Sequence, residues 1–206
     1  MTRIAGTNTK ERRARLMTIA AYEFATVGFQ EASLRIFCKK AGLSTGSVYF
    51  FFDSKEGLFR TIVEEVATPL LSLLRKHCEK EISNSIQDIT SSQEEDFEQF
   101  TSFLKYYYEN KTFCDCLINN KTHPAVEKFF NDTTEILEKH YLKLLNNIAT
   151  VQPLSTPIDE FAVKWFAKTQ LDMILDLLKM EFKEDEAIEH AKNLIKIRER
   201  GFTGLL

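Results

Sequence analysis

The chain has 206 residues, 44% of them hydrophobic, which is enough to bury one sizeable core or two smaller ones. No apolar run approaches the roughly 18 residues that span a bilayer, and the N-terminus lacks a signal-peptide pattern, so we expect a cytoplasmic protein without a membrane partner. The net charge of −3 hides an asymmetry, because residues 1–60 carry ten Lys and Arg against five Asp and Glu, while the remainder carries 17 against 25. A basic N-terminal quarter predicts contact with a polyanion at that end.

Few residues in this sequence interrupt helices. Glycines and prolines number seven and four, Leu, Phe, Lys and Glu are abundant, and β-branched runs are missing, so we predict an all-α fold. Asn8 and Glu11 resemble a capping box for a first helix over about residues 9–27, and Gly28 offers a left-handed residue that ends it.

Two short helices and a tight corner follow. Ser33 caps a second helix that Gly42 ends, and Ser44 caps a third that runs through Phe50 or Phe51. The glycine supplies the backbone angle that a close turn between two helices needs.

A long fourth helix is capped by Asp53 or Ser54, and we expect Pro69 to kink it or to end it near Ala67. The polar, Ser-rich stretch 83–96 predicts a loop. Apolar periodicity then predicts five further helices, over about 97–107, 113–118, 124–148, 158–181 and 184–200.

The helix over 158–181 is apolar around more of its circumference than the stripe of about 100° that one core contact needs. It must therefore be buried on two sides. Either another copy of the chain covers the second side in a two-fold interface, or the helix is central and its own domain wraps it.

A helix, a glycine turn and a short second helix are the organisation of a helix-turn-helix, which inserts its second helix into the DNA major groove. The segment SLRIFCKKAGLSTGSVYFFFDSKEGLF (33–59) also resembles the DNA-binding segment of the TetR family of bacterial transcriptional regulators. The matching positions are Ala41, Gly42, Leu43, Ser44, Gly46, Tyr49, Phe52, Lys55, Glu56 and Leu58. The resemblance covers about residues 10–60. It implies an N-terminal three-helix DNA-binding domain (1–57) joined to a larger helical domain (58–206) that binds a small effector and forms a homodimer.

The sequence predicts which residues contact double-stranded DNA. Thr45 and Ser47 carry hydroxyls suited to phosphate oxygens or base edges, the Tyr49 phenol can reach a phosphate, and Lys55 is a phosphate contact in similar proteins. Val48 and Phe52 are expected to hold the helix onto its domain. The predicted DNA-binding set is Arg35, Ser44, Thr45, Gly46, Ser47, Tyr49, Phe50 and Lys55. Sequence-independent attraction is expected from Lys39, Lys40 and an arm of Arg3, Lys10, Arg12, Arg13 and Arg15.

The segment departs from the family pattern in two places. Ile36 is an apolar residue where the pattern is polar. The family usually has Tyr or His at the site of Phe50 or Phe51, and phenylalanine offers base edges only apolar contact, chiefly with a thymine methyl. Either these rings contact thymine methyls, or DNA shape supplies more of the specificity.

Aromatic residues after position 96 predict an apolar effector cavity between helices. The tentative lining is Phe100, Phe103, Tyr107, Phe113, Phe130, Trp165 and Phe166. The expected function is a repressor that a small hydrophobic or aromatic effector releases from a palindromic operator, with no cofactor and no metal.

Two alternatives remain open. One is a redox-sensing regulator that uses Cys114 and Cys116, although positions i and i+2 of a helix point about 200° apart. The other is a helical module that binds protein rather than DNA. No histidine stands in a zinc or nucleophile spacing and no glycine-rich phosphate loop is present, so we do not expect an enzyme.

Overall fold

The computed structural model describes residues 3–83, 93–151 and 157–203. Within these ranges every regular element is a helix, so the predicted all-α class is confirmed. In chain order the helices are α1 (Arg3–Glu31), α2 (Leu34–Lys40), α3 (Gly46–Phe52), α4 (Lys55–Ser83), α5 (Gln93–Glu109), α6 (Lys111–Ile118), α7 (Pro124–Val151), α8 (Glu160–Lys179) and α9 (Glu184–Thr203).

The helices divide into two compact units. The first comprises Met1–Pro69 and Asn110–Phe129, and the second comprises Leu70–Glu109 and Phe130–Leu206. The first unit is discontinuous in sequence because α6 packs on α1. These compact units do not coincide with the expected domains 1–57 and 58–206. The boundary after residue 57 describes where the DNA-binding segment ends, and it stays a prediction.

Aromatic side chains form the centre of the first unit. The Phe24 ring is fully buried and lies 5.7 Å from the ring of Phe29, 5.8 Å from that of Phe37 and 5.1 Å from that of Phe59, measured between centroids. Edge-on and tilted arrangements at these distances are favourable for aromatic pairs. This core fixes α2 and the start of α4 against α1.

The second unit contains two buried clusters, and α8 contributes to both. Toward its C-terminal end, Leu177 packs with Phe100 and Leu104 of α5 and with residues of α9. Toward its N-terminal end, Val163 and Phe166 pack with residues of α7. The breadth of apolar surface on α8 is therefore explained in part by neighbours within its own unit.

Several helix ends differ from the sequence predictions. Helix α1 begins at Arg3 rather than near residue 9, because extending a helix that has already nucleated adds a hydrogen bond per residue. The N-cap of α3 is Thr45 rather than Ser44. Both the Ser47 N–H and the Val48 N–H donate to carbonyls only three residues back, so this helix begins with a tightened first turn.

Of the two effects expected at Pro69, the helix boundary is wrong and the kink stays a prediction, and the bounds of the Ser-rich loop also differ from expectation. Helix α4 continues through Pro69 without a boundary, and the neighbouring Val66 and Ala67 are buried. Their packing offsets the hydrogen bond that a proline removes. Helix α5 begins at Gln93, inside the predicted loop, while residues 84–92 lie outside the described residues.

Candidate nucleic-acid interface and its support

A tight corner joins α2 to α3. Gly42 has φ +64°, a left-handed conformation that glycine adopts without steric penalty. Its N–H donates to Lys39 O at 3.1 Å, and the Leu43 N–H donates to Cys38 O at 2.9 Å. These bonds satisfy the last carbonyls of α2, so the short helices and glycine turn expected from the sequence are present.

Helix α3 has one buried and one exposed face. Val48 is fully buried and Phe52 is 5% exposed, whereas Tyr49 is 56% and Phe50 is 77% exposed. The prediction that Val48 and Phe52 hold this helix onto its domain is confirmed. The Arg13 guanidinium lies 4.9 Å from the Phe52 ring centroid, a cation–π contact that the sequence did not reveal.

The small residues before α3 are open to solvent. Ser44, Thr45 and Gly46 are exposed and Ser47 is half-buried, and the Thr45 side chain makes no capping hydrogen bond. Arg35, on α2, is also exposed. These five residues are at least partly accessible to a partner molecule. Their contact with DNA stays a prediction.

Lys55 differs from the mobile cation expected from the sequence. Its Nζ donates to Gln30 O at 3.2 Å and lies 4.7 Å from the centroid of the Phe29 ring. Burial lowers the pKa of Lys55, and the nearby Glu31 carboxylate opposes that change. The ammonium is therefore positioned by the end of α1, since backbone and ring contacts hold it there.

The two lysines at the end of α2 have different environments. Lys40 forms an ion pair with Glu23 of α1, whose carboxylate is buried. Lys39 is exposed. The Lys40 charge is thus locally balanced, so Lys39 is the better source of attraction for a polyanion.

Two asparagines at the end of α6 bind the end of α1. The Asn120 side chain is buried; its Oδ1 accepts from Phe29 N at 2.6 Å and its Nδ2 donates to Phe24 O at 2.9 Å and Cys116 O at 2.7 Å. Asn119 Nδ2 donates to Ala25 O at 3.0 Å. Gly28 has non-helical backbone angles (φ +81°, ψ +162°) inside α1, at the position where the sequence predicted a left-handed residue, and this interrupts the backbone hydrogen bonds on either side of it. The two amides supply partners for the backbone groups around that break. We call Asn119 and Asn120 the asparagine clamp.

A histidine after the clamp supports the start of α4. The His123 ring packs 4.6 Å from the Phe29 ring and 4.2 Å from the Phe59 ring, centroid to centroid. Its Nδ1 accepts from Ala125 N at 3.2 Å, which leaves the proton on Nε2, and this N–H donates to Glu56 Oε2 at 3.1 Å. The residue thus joins α4 to the segment before α7.

The clamp and His123 were missed by the sequence analysis. Their partners in α1 and α4 lie 67 to 96 residues away along the chain, so no local spacing predicts these contacts. Paired asparagines after a helix are the only local signal, because such residues often satisfy helix ends.

The aromatic residues proposed to line an effector cavity do not form one cluster. Phe100 is buried in the cluster of α5, α8 and α9, and Phe166 is buried in the cluster of α7 and α8. Trp165 is 61% exposed. Phe113 belongs to the first unit, whereas the other six belong to the second. Phe100 and Phe166 are therefore core residues of separate clusters.

The remaining three candidates are at least partly buried. Tyr107 is 6% exposed and its ring centroid lies 5.1 Å from that of Tyr108, while Phe103 and Phe130 are half-buried. Their role in binding an effector stays a prediction.

The second unit also contains a buried polar group. His140 Nε2 lies 2.8 Å from Glu81 Oε2, and His77 Nε2 lies 3.5 Å from the same oxygen. Burial lowers the pKa of His77 to about 4. Burial alone would also lower the pKa of His140, but interactions with Cys78 and Glu81 raise it to about 9. The pKa values of two histidines beside one carboxylate are thus displaced in opposite directions.

The cysteines do not have the environment of a redox sensor. Cys114 and Cys116 are 5% and 0% exposed, and burial raises the pKa of each thiol to about 12. A thiolate is the reactive form, so such thiols are inert at neutral pH. In the described part of the chain, no group of three or more His, Cys, Asp or Glu has the geometry to hold a metal ion. No described helix is long and apolar enough to cross a membrane.

Family models of transcriptional regulators match both an N-terminal and a C-terminal segment of the chain. The family model for bacterial regulatory proteins of the tetR family matches residues 16–62, and the model for a transcriptional regulator C-terminal region matches residues 94–197. The uncharacterized HTH-type transcriptional regulator YdgC of Bacillus subtilis (strain 168) is 40% identical over 55 residues, which are 27% of this chain and 28% of that relative's length.

Solved structures share the fold at lower identity. The chain is similar to a TetR-family regulator from Bordetella parapertussis 12822, with a TM-score of 0.62, 18% identity and coverage of 94% of this chain and 97% of that one. It is also similar to SmeT, the repressor of the Stenotrophomonas maltophilia multidrug efflux pump SmeDEF, with a TM-score of 0.61, 16% identity and coverage of 89% and 87%. The matched proteins are regulators, not enzymes. Because a C-terminal regulator model spans half of the chain and a tetR model covers the helix-turn-helix, the chain belongs to the TetR family of transcriptional regulators, which bind DNA through that motif.

Proposed function

We propose that the protein is a cytoplasmic repressor that binds a palindromic operator as a homodimer and leaves it when a small hydrophobic or aromatic effector binds residues 58–206. The observation that carries this proposal is the division of α3, which buries Val48 and Phe52 and exposes Tyr49 and Phe50. A second helix held in this way can enter the major groove. The residues proposed to contact DNA are Arg35, Ser44, Thr45, Gly46, Ser47, Tyr49, Phe50 and Lys55.

Operator binding is tested by a salt titration. Duplexes selected from a random pool by the purified protein are titrated by fluorescence anisotropy at rising salt, and log affinity should fall linearly with log salt. Arg35→Ala should reduce the slope by about 2 per bound dimer if each of the two guanidiniums neutralises one phosphate. Lys143→Ala removes an exposed cation from α7 and should change neither the operator affinity nor the salt slope. A flat salt response would contradict the proposal.

The homodimer is supported by two exposed side chains on α8. Phe161 and Trp165 are 76% and 61% exposed and stand one helical turn apart, so they share a face. Large apolar side chains side by side on a surface favour a partner, and a second copy related by a two-fold axis would cover both patches.

Sedimentation velocity tests this interface. Trp165→Glu should convert a dimer to a monomer, because it buries a charge in the proposed contact. Tyr22→Glu alters another exposed aromatic residue, which is 57% exposed and lies in the first unit, and should leave the dimer intact. If both variants sediment as the parent protein does, this face is not the interface.

Effector release is supported by the supply of aromatic side chains in the second unit, although these residues divide between separate clusters. A thermal-shift screen against hydrophobic cations, fatty acyl compounds and aromatic acids would find ligands that stabilise the folded state. A compound that raises the melting temperature should also lower operator affinity in the anisotropy assay. A compound that raises both would indicate activation or co-repression instead.

A further inference from the structure

Phe50 is the residue of α3 that points farthest from the core, and its phenyl side chain has no conventional hydrogen-bonding group. At about 100° per residue, Phe50 lies about 200° around the helix from Val48 and about 160° from Phe52. Because these two residues are the buried ones, Phe50 points almost directly away from the core. Its exposure of 77% means that packing within the first unit does not account for this aromatic residue.

Neighbouring rings limit the orientation of Phe50. Its ring centroid lies 5.0 Å from that of Phe51 at an interplanar angle of 71°, and Phe51 in turn lies 6.0 Å from Phe52 at 63°. A series of edge-on contacts therefore runs from the buried Phe52 out to the exposed ring. Such contacts favour one arrangement of the aromatic side chain and reduce the entropy lost when it meets a partner.

Gly46 stands one turn before Phe50 on the same side of α3, and the fold does not require a glycine there. A Cβ atom at this position would meet only Ser44 Oγ, at 3.5 Å, which is an ordinary contact. Its φ is not positive, in contrast to those of Gly28 and Gly42. The missing side chain therefore serves no internal packing, and it leaves the outer side of α3 open to close approach by another molecule.

The chemistry of the major groove identifies what Phe50 can recognise. Base edges there present hydrogen-bond donors and acceptors, and the only apolar group among them is the 5-methyl of thymine. A phenyl ring satisfies none of the polar groups. We propose that Phe50 determines operator specificity by packing on a thymine methyl in each half-site, with Gly46 allowing α3 to approach the bases. This inference rests on the proposed function.

Removal of one methyl group tests the proposal. In an operator selected by the wild-type protein, each thymine is replaced in turn by uracil, which keeps the base pair and deletes only the methyl. One thymine per half-site should show a loss of affinity of about three- to fivefold, the factor expected for about one buried methyl group. Phe50→Ala should bind thymine and uracil at that position equally.

Matched variants separate this role from folding. Tyr49→Phe removes the neighbouring phenol oxygen and should keep the thymine-to-uracil ratio of the wild type. Gly46→Ala should leave the melting temperature unchanged or raised, because alanine favours helix over glycine, and should weaken operator affinity about tenfold. Phe50→Ala should melt as the wild type does, since the side chain is exposed.

Three results would overturn the inference. If uracil replaces every thymine without loss of affinity, DNA shape or other contacts supply the specificity. If the thymine-to-uracil affinity ratio persists in Phe50→Ala, another residue discriminates the methyl group. If the wild-type protein selects no sequence and its binding is insensitive to salt, the proposed function fails and this inference fails with it. Specific, salt-dependent binding without methyl discrimination refutes the inference alone.

Discussion

The asparagine clamp provides the sharpest test of how the DNA-binding unit is held together. Asn120→Ala removes the acceptor for the Phe29 N–H and the donor for the Phe24 carbonyl. Each buried polar group left without a partner costs about 1–3 kcal/mol, so we expect a loss of about 3 kcal/mol in the free energy of unfolding of the first unit. At a typical urea dependence this lowers the midpoint by about 1 M or more.

Hydrogen exchange measures the same loss at one atom. The Phe29 amide should exchange about a hundredfold faster in Asn120→Ala, because its protection depends on local opening. Operator affinity should also fall, since Lys55 is positioned by the Gln30 carbonyl and the Phe29 ring at the helix end that the clamp holds.

Asn119→Ala is the matched control for this prediction. Asn119 is exposed and its side chain donates to Ala25 O, so the loss of this amide should cost about 1 kcal/mol or less. If Asn120→Ala and Asn119→Ala have equal urea midpoints and equal Phe29 exchange rates, the reasoning from buried unsatisfied groups is refuted.

Three further predictions concern the rest of the chain. The free energy of unfolding measured by urea denaturation should be highest near pH 6.5. The lowered pKa of His77 reduces stability as the pH falls from 6.5 through about 4. The raised pKa of His140 contributes stability that is lost as the pH rises from 6.5 through about 9. An unchanged alkaline limb in His140→Gln would contradict this. Cys114 and Cys116 should resist a thiol reagent in the native protein and react only in urea, and rapid native labelling would revive the redox alternative. Asp159→Ala should cost about 1 kcal/mol in the free energy of unfolding, because its Oδ1 caps α8 by accepting from two backbone N–H groups; an unchanged urea midpoint would show that the cap contributes nothing.

Local patterns predicted the parts of the DNA-binding unit that depend on neighbouring residues. Val48 and Phe52 are four residues apart, so helical periodicity alone places them on one face. The corner at Gly42 depends on a single backbone conformation that glycine favours. Both predictions are confirmed, because the relevant interactions lie within one or two turns.

Contacts between distant residues could not be predicted in this way. Lys55 was expected to be a mobile cation, and its carbonyl partner lies 25 residues earlier in the chain. Composition likewise could not separate core from cavity among the aromatic residues, because a phenylalanine packs equally well in either. Phe100 and Phe166, both predicted to line one cavity, are instead buried in separate clusters.

The discontinuity of the first unit has a consequence for how the protein can be made and recombined. During synthesis, Met1–Pro69 leaves the ribosome about 40 residues before Asn110–Phe129. The hydrogen bonds between α1 and the asparagine clamp can therefore form only after the second segment has been made. A hybrid regulator that joined residues 1–69 to the remainder of a different protein would lack those amides. Transfer of this chain's DNA-binding unit with its own support therefore requires two segments, Met1–Pro69 and Asn110–Phe129.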